Sequence, residues 1–307
     1  KEPDMVVFDE GFQIPKFMKH KKSNEELTHQ LFHAPNVNDK IWAAEEMGRK
    51  KTGSNNIKAL FHSMESDDFW GVRKEAATAL SNLKLKGKET QIMHLYHQET
   101  DARVKSEVLR LLKNSKGDEI TQFLTEIIKS DFNDYVVRSA VQSLSGVNED
   151  ALMKNLEFIL KRESHNDIVR KAGINQLSSL KSDSNFQKLV QLASYGGTSW
   201  NSRTTAVRGL EKYVKDHPEV LENMIQFLED PNYRIRWAAI NILCKYGGED
   251  HLKKMLEITE NDLLAGMEFS SGKYYVKKRM EKRNTFPGSM KISKKKLADI
   301  FDQMDQV

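Results

Sequence analysis

The sequence predicts an all-α fold, an α-α superhelix of stacked helix pairs, and three observations carry that prediction. Basic residues recur at a near-constant interval: Lys40, Arg73, Lys105, Arg138, Arg170, Arg203 and Arg236 stand 33, 32, 33, 32, 33 and 33 positions apart. Between them lie segments such as NIKALFHSM, EITQFLTEIIK and EVLENMIQFLE, which have the i, i+3, i+4, i+7 spacing of amphipathic helices. Strand patterns are absent from Leu27 to about Thr259. Self-similarity at a fixed period of this length is the signature of a repeat architecture.

The repeating unit begins at the basic residue. In DDFWGVRKEAATAL, FNDYVVRSAVQSL and DPNYRIRWAAINIL a polar or acidic turn precedes it, and small or aliphatic residues follow on one helical face. The first copy, VNDKIWAAEEMG, places Ala43 and Met47 where the second has Ala76 and Leu80, so seven helix pairs fit between residues 23 and 259. One pair cannot bury both of its apolar faces, whereas stacked pairs make a continuous core. The expected product is a right-handed solenoid, opened by a capping box from Ser23 to Glu26. Residues 1–22 read differently. In MVVFDEGFQIPKF, Val6 and Phe8 alternate with Val7, a turn follows at Asp9 to Gly11, and Phe12 and Ile14 alternate again. That is a β-hairpin signal, and it sets residues 1–22 apart as a strand remnant ahead of the repeats. An isolated hairpin is marginal in water, so it must pair with strands outside this chain or dock on the first repeat. Residues 260–307 are expected to form capping helices and a basic tail.

The second helix of the unit resembles that of the HEAT repeat, an acid followed by Val-Arg and then Ala and Leu at fixed offsets, matched here by Asp68, Val72, Arg73, Ala76 and Leu80. The resemblance implies that each ladder residue bonds the turn acid or backbone carbonyls of the neighbouring repeat. The planar guanidinium fork suits that task, because it holds several acceptors at once. Lys105 departs from the pattern, as do Val141 and Gly173 at Ala positions, and no acid lies just before Arg203. The arginine row also reads as a phosphate track, but each member opens a helix at an inter-repeat turn, which favours the structural role.

Composition narrows the class further. With 38% hydrophobic and 30% charged residues the chain is expected to be soluble and globular rather than disordered. Its apolar runs fall far short of the roughly 20 residues that span a bilayer, so no membrane partner is expected. The lone Cys244, in WAAINILCKY, excludes an intrachain disulfide and reads as a small core residue. The net charge of +4 is local in origin: Lys273 to Lys296 holds ten basic residues against Glu281, or +9, which leaves −5 elsewhere. That balance argues against nucleic acid as a partner, since a phosphate groove needs positive charge along its length. The compartment is unspecified, with a lean to the cytoplasm.

Catalytic patterns fail on inspection. His29 and His33 have the i, i+4 spacing of a zinc half-site, but Gln30 stands where the general base would be and Thr52 where a third ligand would be. His94 and His97 have no carboxylate or cysteine beside them. Nucleophile-elbow, P-loop and dinucleotide motifs are absent, and Gly196-Gly197 and Gly247-Gly248 fall at expected inter-helix turns. No catalytic, cofactor-binding or metal-ligating residue is expected in this chain.

The first fifty residues resemble the junction in aminopeptidase N-type zinc metallopeptidases, where a β-sandwich leads into a C-terminal helical domain. Val7, Phe8, Asp9, Gly11 and Lys16 match its first part, and Ala34, Asp39, Lys40, Ala43, Ala44, Met47 and Gly48 its second. Asp67 to Ala77, DDFWGVRKEAA, resembles the segment that follows. Glu10 stands where Pro is common and Pro15 where an aliphatic residue is common. The resemblance implies a non-catalytic domain whose partners are upstream catalytic and β-sandwich domains of the same protein, with peptide substrates met only indirectly. Zinc would belong to the catalytic domain, since H-E-x-x-H is missing here and GMEF at Gly266 to Phe269 only brushes the family's recognition motif. An opening on Lys1 rather than Met fits a processed form or an excised piece. The alternative is a free-standing repeat adaptor that holds a protein or peptide on a concave face.

Overall fold

Apolar residues three and four apart give each predicted segment one face to bury, and the computed structural model buries those faces in pairs. The structure describes residues 5–15, 21–50 and 54–261. These form fifteen α-helices and two short 3-10 turns. The pairs are α1 (Asn24–His33) with α2 (Val37–Lys50), α3 (Ser54–Ser66) with α4 (Trp70–Ser81), α5 (Glu89–Gln98) with α6 (Ala102–Leu111), and α7 (Asp118–Ser130) with α8 (Asp134–Val147). They continue as α9 (Glu149–Lys161) with α10 (Ile168–Ser179), α11 (Asp183–Ala193) with α12 (Trp200–Leu210), and α13 (Val220–Phe227) with α14 (Tyr233–Tyr246), before α15 (Glu249–Asn261). All seven ladder positions lie in the second helix of their pair, within its first two turns.

Polar residues at the turns start many of these helices. Ser23 and Glu26 form the expected capping box, each side chain accepting from the other's backbone N–H. Asp101, Asn133, Asn148, Ser182, Ser199 and Asn232 cap later helices in the same way, with a side-chain oxygen on a first-turn N–H.

The chain divides into two compact units inside α10, after Ala172. In the first, α2, α4, α6 and α8 lie side by side as one layer, and each packs against the helix that precedes it. Leu60, Ala76, Leu80, Leu109, Leu124, Ala140 and Leu144 are fully buried in its core. The layer is tight enough to need glycine. A Cβ on Gly146 would fall 2.1 Å from the Lys113 carbonyl oxygen, and one on Gly48 would fall 2.9 Å from Ala79 Cα. In the second unit α12 packs on α11 and α14, and α15 lies against α13 and α14. Its core includes Phe186, Ala206, Tyr213, Met224 and Leu243, and the Tyr213 hydroxyl donates to the Leu177 carbonyl at 3.0 Å.

The N-terminal hairpin does not form: residues 5–15 contain no strand. Their backbone donors go to turns and side chains instead of to a cross-strand ladder. Phe12 N–H donates to Asp9 O (3.0 Å), Ile14 N–H to the Asp9 carboxylate (3.0 Å) and Gly11 N–H to the Asp39 carboxylate (3.1 Å). Gly11 takes φ +75°, the left-handed conformation its missing Cβ permits. Lys16 and most of the expected C-terminal region, from Asp262 onward, lie outside the described residues.

Candidate functional site

Three ladder residues reach the turn of the following pair. Lys40 Nζ donates to Asp67 at 2.8 Å. Arg73 grips Glu99 with Nε and Nη2 at 2.8 and 2.9 Å, while its Nη1 bonds the carbonyls of Asp67 and Asp68 in its own turn. Arg203 chelates Asp230 with Nη1 (3.1 Å) and Nη2, and its Nε donates to Ala193 O at 2.7 Å. This last pair is the most deeply buried, with Arg203 5% and Asp230 7% exposed.

Charge and hydrogen bonding make the Arg73 rung a strong one. Its guanidinium is held above the ordinary arginine range, chiefly by the hydrogen bond to Glu99. Burial pushes the Glu99 carboxyl up, but the bonds from Arg73 and from the backbone N–H groups of Asp101 and Thr100 outweigh it, and the net direction is down.

The other four positions do something else. Lys105 lies 4.8 Å over the Tyr96 ring, and the acid of the next turn, Asp131, is taken at 2.7 Å by the Tyr96 hydroxyl. Burial, then that bond to a carboxylate, raises the Tyr96 hydroxyl well above its usual range. Arg138 sits 5.3 Å over the Tyr135 ring, and its Nε is buried with no hydrogen-bond partner among the described residues. Arg170 stays within its own pair, with Asp167 at 2.5 Å and Leu160 O. Arg236 bonds the carbonyls of Asp230 and Pro231. Sequence spacing sorts these cases. An acid stands 26 or 27 positions after Lys40, Arg73, Lys105 and Arg203, whereas Ser164 and His165 follow Arg138 and glycines follow Arg170 at that offset. Sequence reasoning missed Tyr96 and also Arg162, which donates to Ile128 O (3.1 Å) and Asp131 O (2.6 Å).

The N-terminal segment docks on the first pair. Besides the Gly11 contact, Asn38 donates to Gly11 O (3.1 Å) and Asn36 to Glu10 (2.9 Å). Lys22, itself buried, donates to Val6 O and to Gln30, whose amide donates to Asp39 O at 2.8 Å. Burial lowers the Lys22 ammonium below its usual range, against the pull of Glu26 and Asp39. Asp39 is fully buried, and its second oxygen has no hydrogen-bond partner among the described residues. Val6, Val7, Phe8 and Phe12 border a small cavity with Trp42, Gln30 and Asp39, yet much apolar surface of the segment stays exposed: Val6 is 48%, Phe8 65% and Ile14 62% exposed.

Catalytic geometry does not assemble around the histidines. The His29 and His33 rings lie 4.5 Å apart beside Phe32, and His97 packs edge-on to Phe123, while His94 is exposed. Among the described residues no group of three or more His, Cys, Asp or Glu is placed to hold a metal, and no helix is long and apolar enough to cross a membrane. Cys244 is buried in α14. Large apolar side chains are exposed instead at or just before the starts of ladder helices: Phe132 (99%) and Tyr135 in the first unit, and Tyr195 (80%), Trp200 (66%) and Tyr233 in the second.

Stacked helix pairs joined by basic rungs define a helical-repeat protein. The chain belongs to the HEAT-repeat family, whose model matches residues 24–113 and 187–265, more than half of the sequence. No curated protein matches it. Among solved structures it is similar to a chain in the structure of the complex of CpcE and CpcF of phycocyanin lyase from Nostoc sp. PCC7120, at 14% identity over 82% of this chain and 98% of that chain, with a TM-score of 0.48. It is also similar to a chain in the structure of Kap95p with RanGDP, at 14% identity over 89% of this chain and 36% of that chain, with a TM-score of 0.39.

Proposed function

We propose that this chain is a non-catalytic docking scaffold, and more narrowly the helical domain of an aminopeptidase N-type zinc peptidase, packing on the catalytic portion and bounding its peptide chamber. The observation that carries the reading is the seat of residues 5–15. The segment with the junction resemblance is fixed to the first pair through Asp39, Asn36, Asn38 and Lys22, and it leaves Val6, Phe8 and Ile14 substantially exposed. A run of exposed apolar side chains on an anchored segment marks an interaction surface, and on this reading a neighbouring domain rests on it. Chemistry would stay with that neighbour, and zinc with it. The encoding sequence upstream of Lys1 tests this directly: an H-E-x-x-H motif supports it, and an initiator Met immediately before Lys1 overturns it. Biochemically, the purified chain should bind no stoichiometric zinc and cleave no aminoacyl amide, and it should associate with the catalytic portion. Serine at Val6, Phe8 and Ile14 together should weaken that association at least tenfold.

A second reading, a free-standing adaptor, is favoured by the exposed aromatic residues at the starts of the ladder helices, since Trp and Tyr are enriched at interface centres. Serine at Tyr195 and Trp200 that abolishes capture of a partner, while the residue 6, 8 and 14 variant does not, would select it.

A further inference from the structure

Arg138 is a ladder residue whose place has been taken. In two other pairs, Nε of the ladder arginine donates to the carbonyl ten residues back: Arg170 to Leu160 O at 2.6 Å and Arg203 to Ala193 O at 2.7 Å. The carbonyl ten residues before Arg138 is that of Ile128, and Arg162 of the following pair donates to it through Nη1 at 3.1 Å while its Nη2 bonds Asp131 O at 2.6 Å. In the forward direction, Ser164 and His165 stand 26 and 27 positions on, where Arg73 and Arg203 meet an acid. Arg138 is left without an acceptor on either side, and its Nε is buried with no hydrogen-bond partner among the described residues.

The acids of its own turn are engaged elsewhere. Asp131 accepts from the Tyr96 hydroxyl and from Asn133 N–H, both at 2.7 Å, and Asp134 accepts from His165 N–H at 2.8 Å and faces Arg162 at 3.9 Å. What Arg138 has instead is the Tyr135 ring, 5.3 Å away. A ring face offsets part of a cation's charge, but a guanidinium with a desolvated N–H and no counter-charge keeps most of the cost of its burial. Arg138 stays part-exposed although Nε is buried, so its charge meets solvent through the Nη end. In the turn that opens the same helix, Phe132 is 99% and Tyr135 49% exposed.

We propose that the turn from Phe132 to Arg138 is a docking point for an acidic residue of a separate partner protein, an Asp or Glu with apolar neighbours. The Nη end of Arg138 takes the carboxylate, and Phe132 and Tyr135 take the apolar side chains that flank it. The charge of the turn selects the anion. Asp131 and Asp134 repel a phosphate dianion more strongly than a single carboxylate, which favours an acidic side chain over a phosphorylated one. The displaced rung carries the inference, and the aminopeptidase reading can fail without touching it.

The test follows the Arg138 Nε–Hε resonance in the full chain labelled with 15N-arginine, assigned by its loss in Arg138→Lys. Burial of Nε shields that proton from solvent exchange and keeps the signal observable. The probe is a synthetic peptide with one Glu between two Leu in a Gly-Ser background, with Gln and phosphoserine versions at the Glu position. The expected result is a saturable shift with the Glu peptide, none with the Gln peptide and a weaker response to the phosphoserine peptide. Phe132→Ser has almost no burial to lose, so it should leave the melting temperature unchanged while weakening the Glu peptide roughly tenfold. A Glu peptide that gives no shift, one matched by its Gln version or indifferent to Phe132→Ser, or a phosphoserine peptide that binds more tightly overturns the proposal.

Discussion

Replacing Arg203 with methionine keeps most of its buried stem and removes the charge, so it isolates what the deepest rung contributes. Asp230 would retain the Asn232 N–H at 2.9 Å and lose both bonds from the guanidinium, at 7% exposure. An ionised carboxylate so placed is an uncompensated buried charge, and breaking such a pair from one side costs about 3–5 kcal/mol. Ala193 O also loses its donor, which places Arg203→Met in the upper part of that range. Asp230→Asn leaves the opposite charge stranded at a similar cost. The double variant strands neither, and should cost far less than the two singles together. Hydrogen exchange of peptides covering α12 and α14 reads the result unit by unit, since 1.4 kcal/mol is a tenfold change in the opening equilibrium. Either single variant should speed exchange by roughly a hundredfold or more at these energies. Singles that each cost under about 1 kcal/mol, or that simply add, would refute the account of the rung as a desolvated pair whose members satisfy each other.

Further outcomes concern the first unit. Because the folded Glu99 carboxyl is held below its ordinary 4.5, its stabilising effect is present above that pH and lost as pH falls through the folded value. The advantage of the native chain over Glu99→Gln in urea melts should therefore be full at pH 7 and vanish in acid. Glu75 has the opposite sign. Burial first, then Glu45 and Glu107, raise its carboxyl above 4.5, so the ionised form costs stability at neutral pH and the cost is relieved as pH falls through the folded value. Glu75→Gln should raise the melting temperature at pH 7, with a gain that shrinks toward pH 4.5. Gly146→Ala improves helix propensity by about 1 kcal/mol yet should destabilise by about 1–3 kcal/mol through overpacking, because the new Cβ meets the Lys113 carbonyl. A stabilised alanine variant in thermal melts would contradict the close approach of α8 to that carbonyl.

Much of this was legible in the residues. The helix pairs follow from apolar spacing and the interval between basic residues, because burial of one face per helix leaves no other arrangement for so regular a pattern. The partners of the ladder residues were only partly legible. The recurring basic residue is a local signal, whereas its acceptor comes from the next turn, so Arg138 resembles Arg73 in its own segment and differs through what stands at Ser164 and His165. Tyr96 was hidden because its ring has ordinary core spacing and only its hydroxyl reaches Asp131. In the N-terminal segment the alternation of Val6, Val7 and Phe8 is real as alternating exposure. It misled because period two reports which side faces solvent, and says nothing of where the backbone donors go. Those of Gly11 and Ile14 go to the carboxylates of Asp39 and Asp9.

The handover at Asp131 bears on how such repeats could be shuffled. A pair that sends its own ladder residue forward, as Arg73 does, carries a plug for any successor with an acid at the right offset. The third pair carries its plug on the preceding helix, at Tyr96, and Lys105 only covers the ring. Grafting α6 without α5 would leave the Asp131 socket empty, so the smallest portable module there is the whole hairpin, whereas around Arg73 a single helix with its turn suffices.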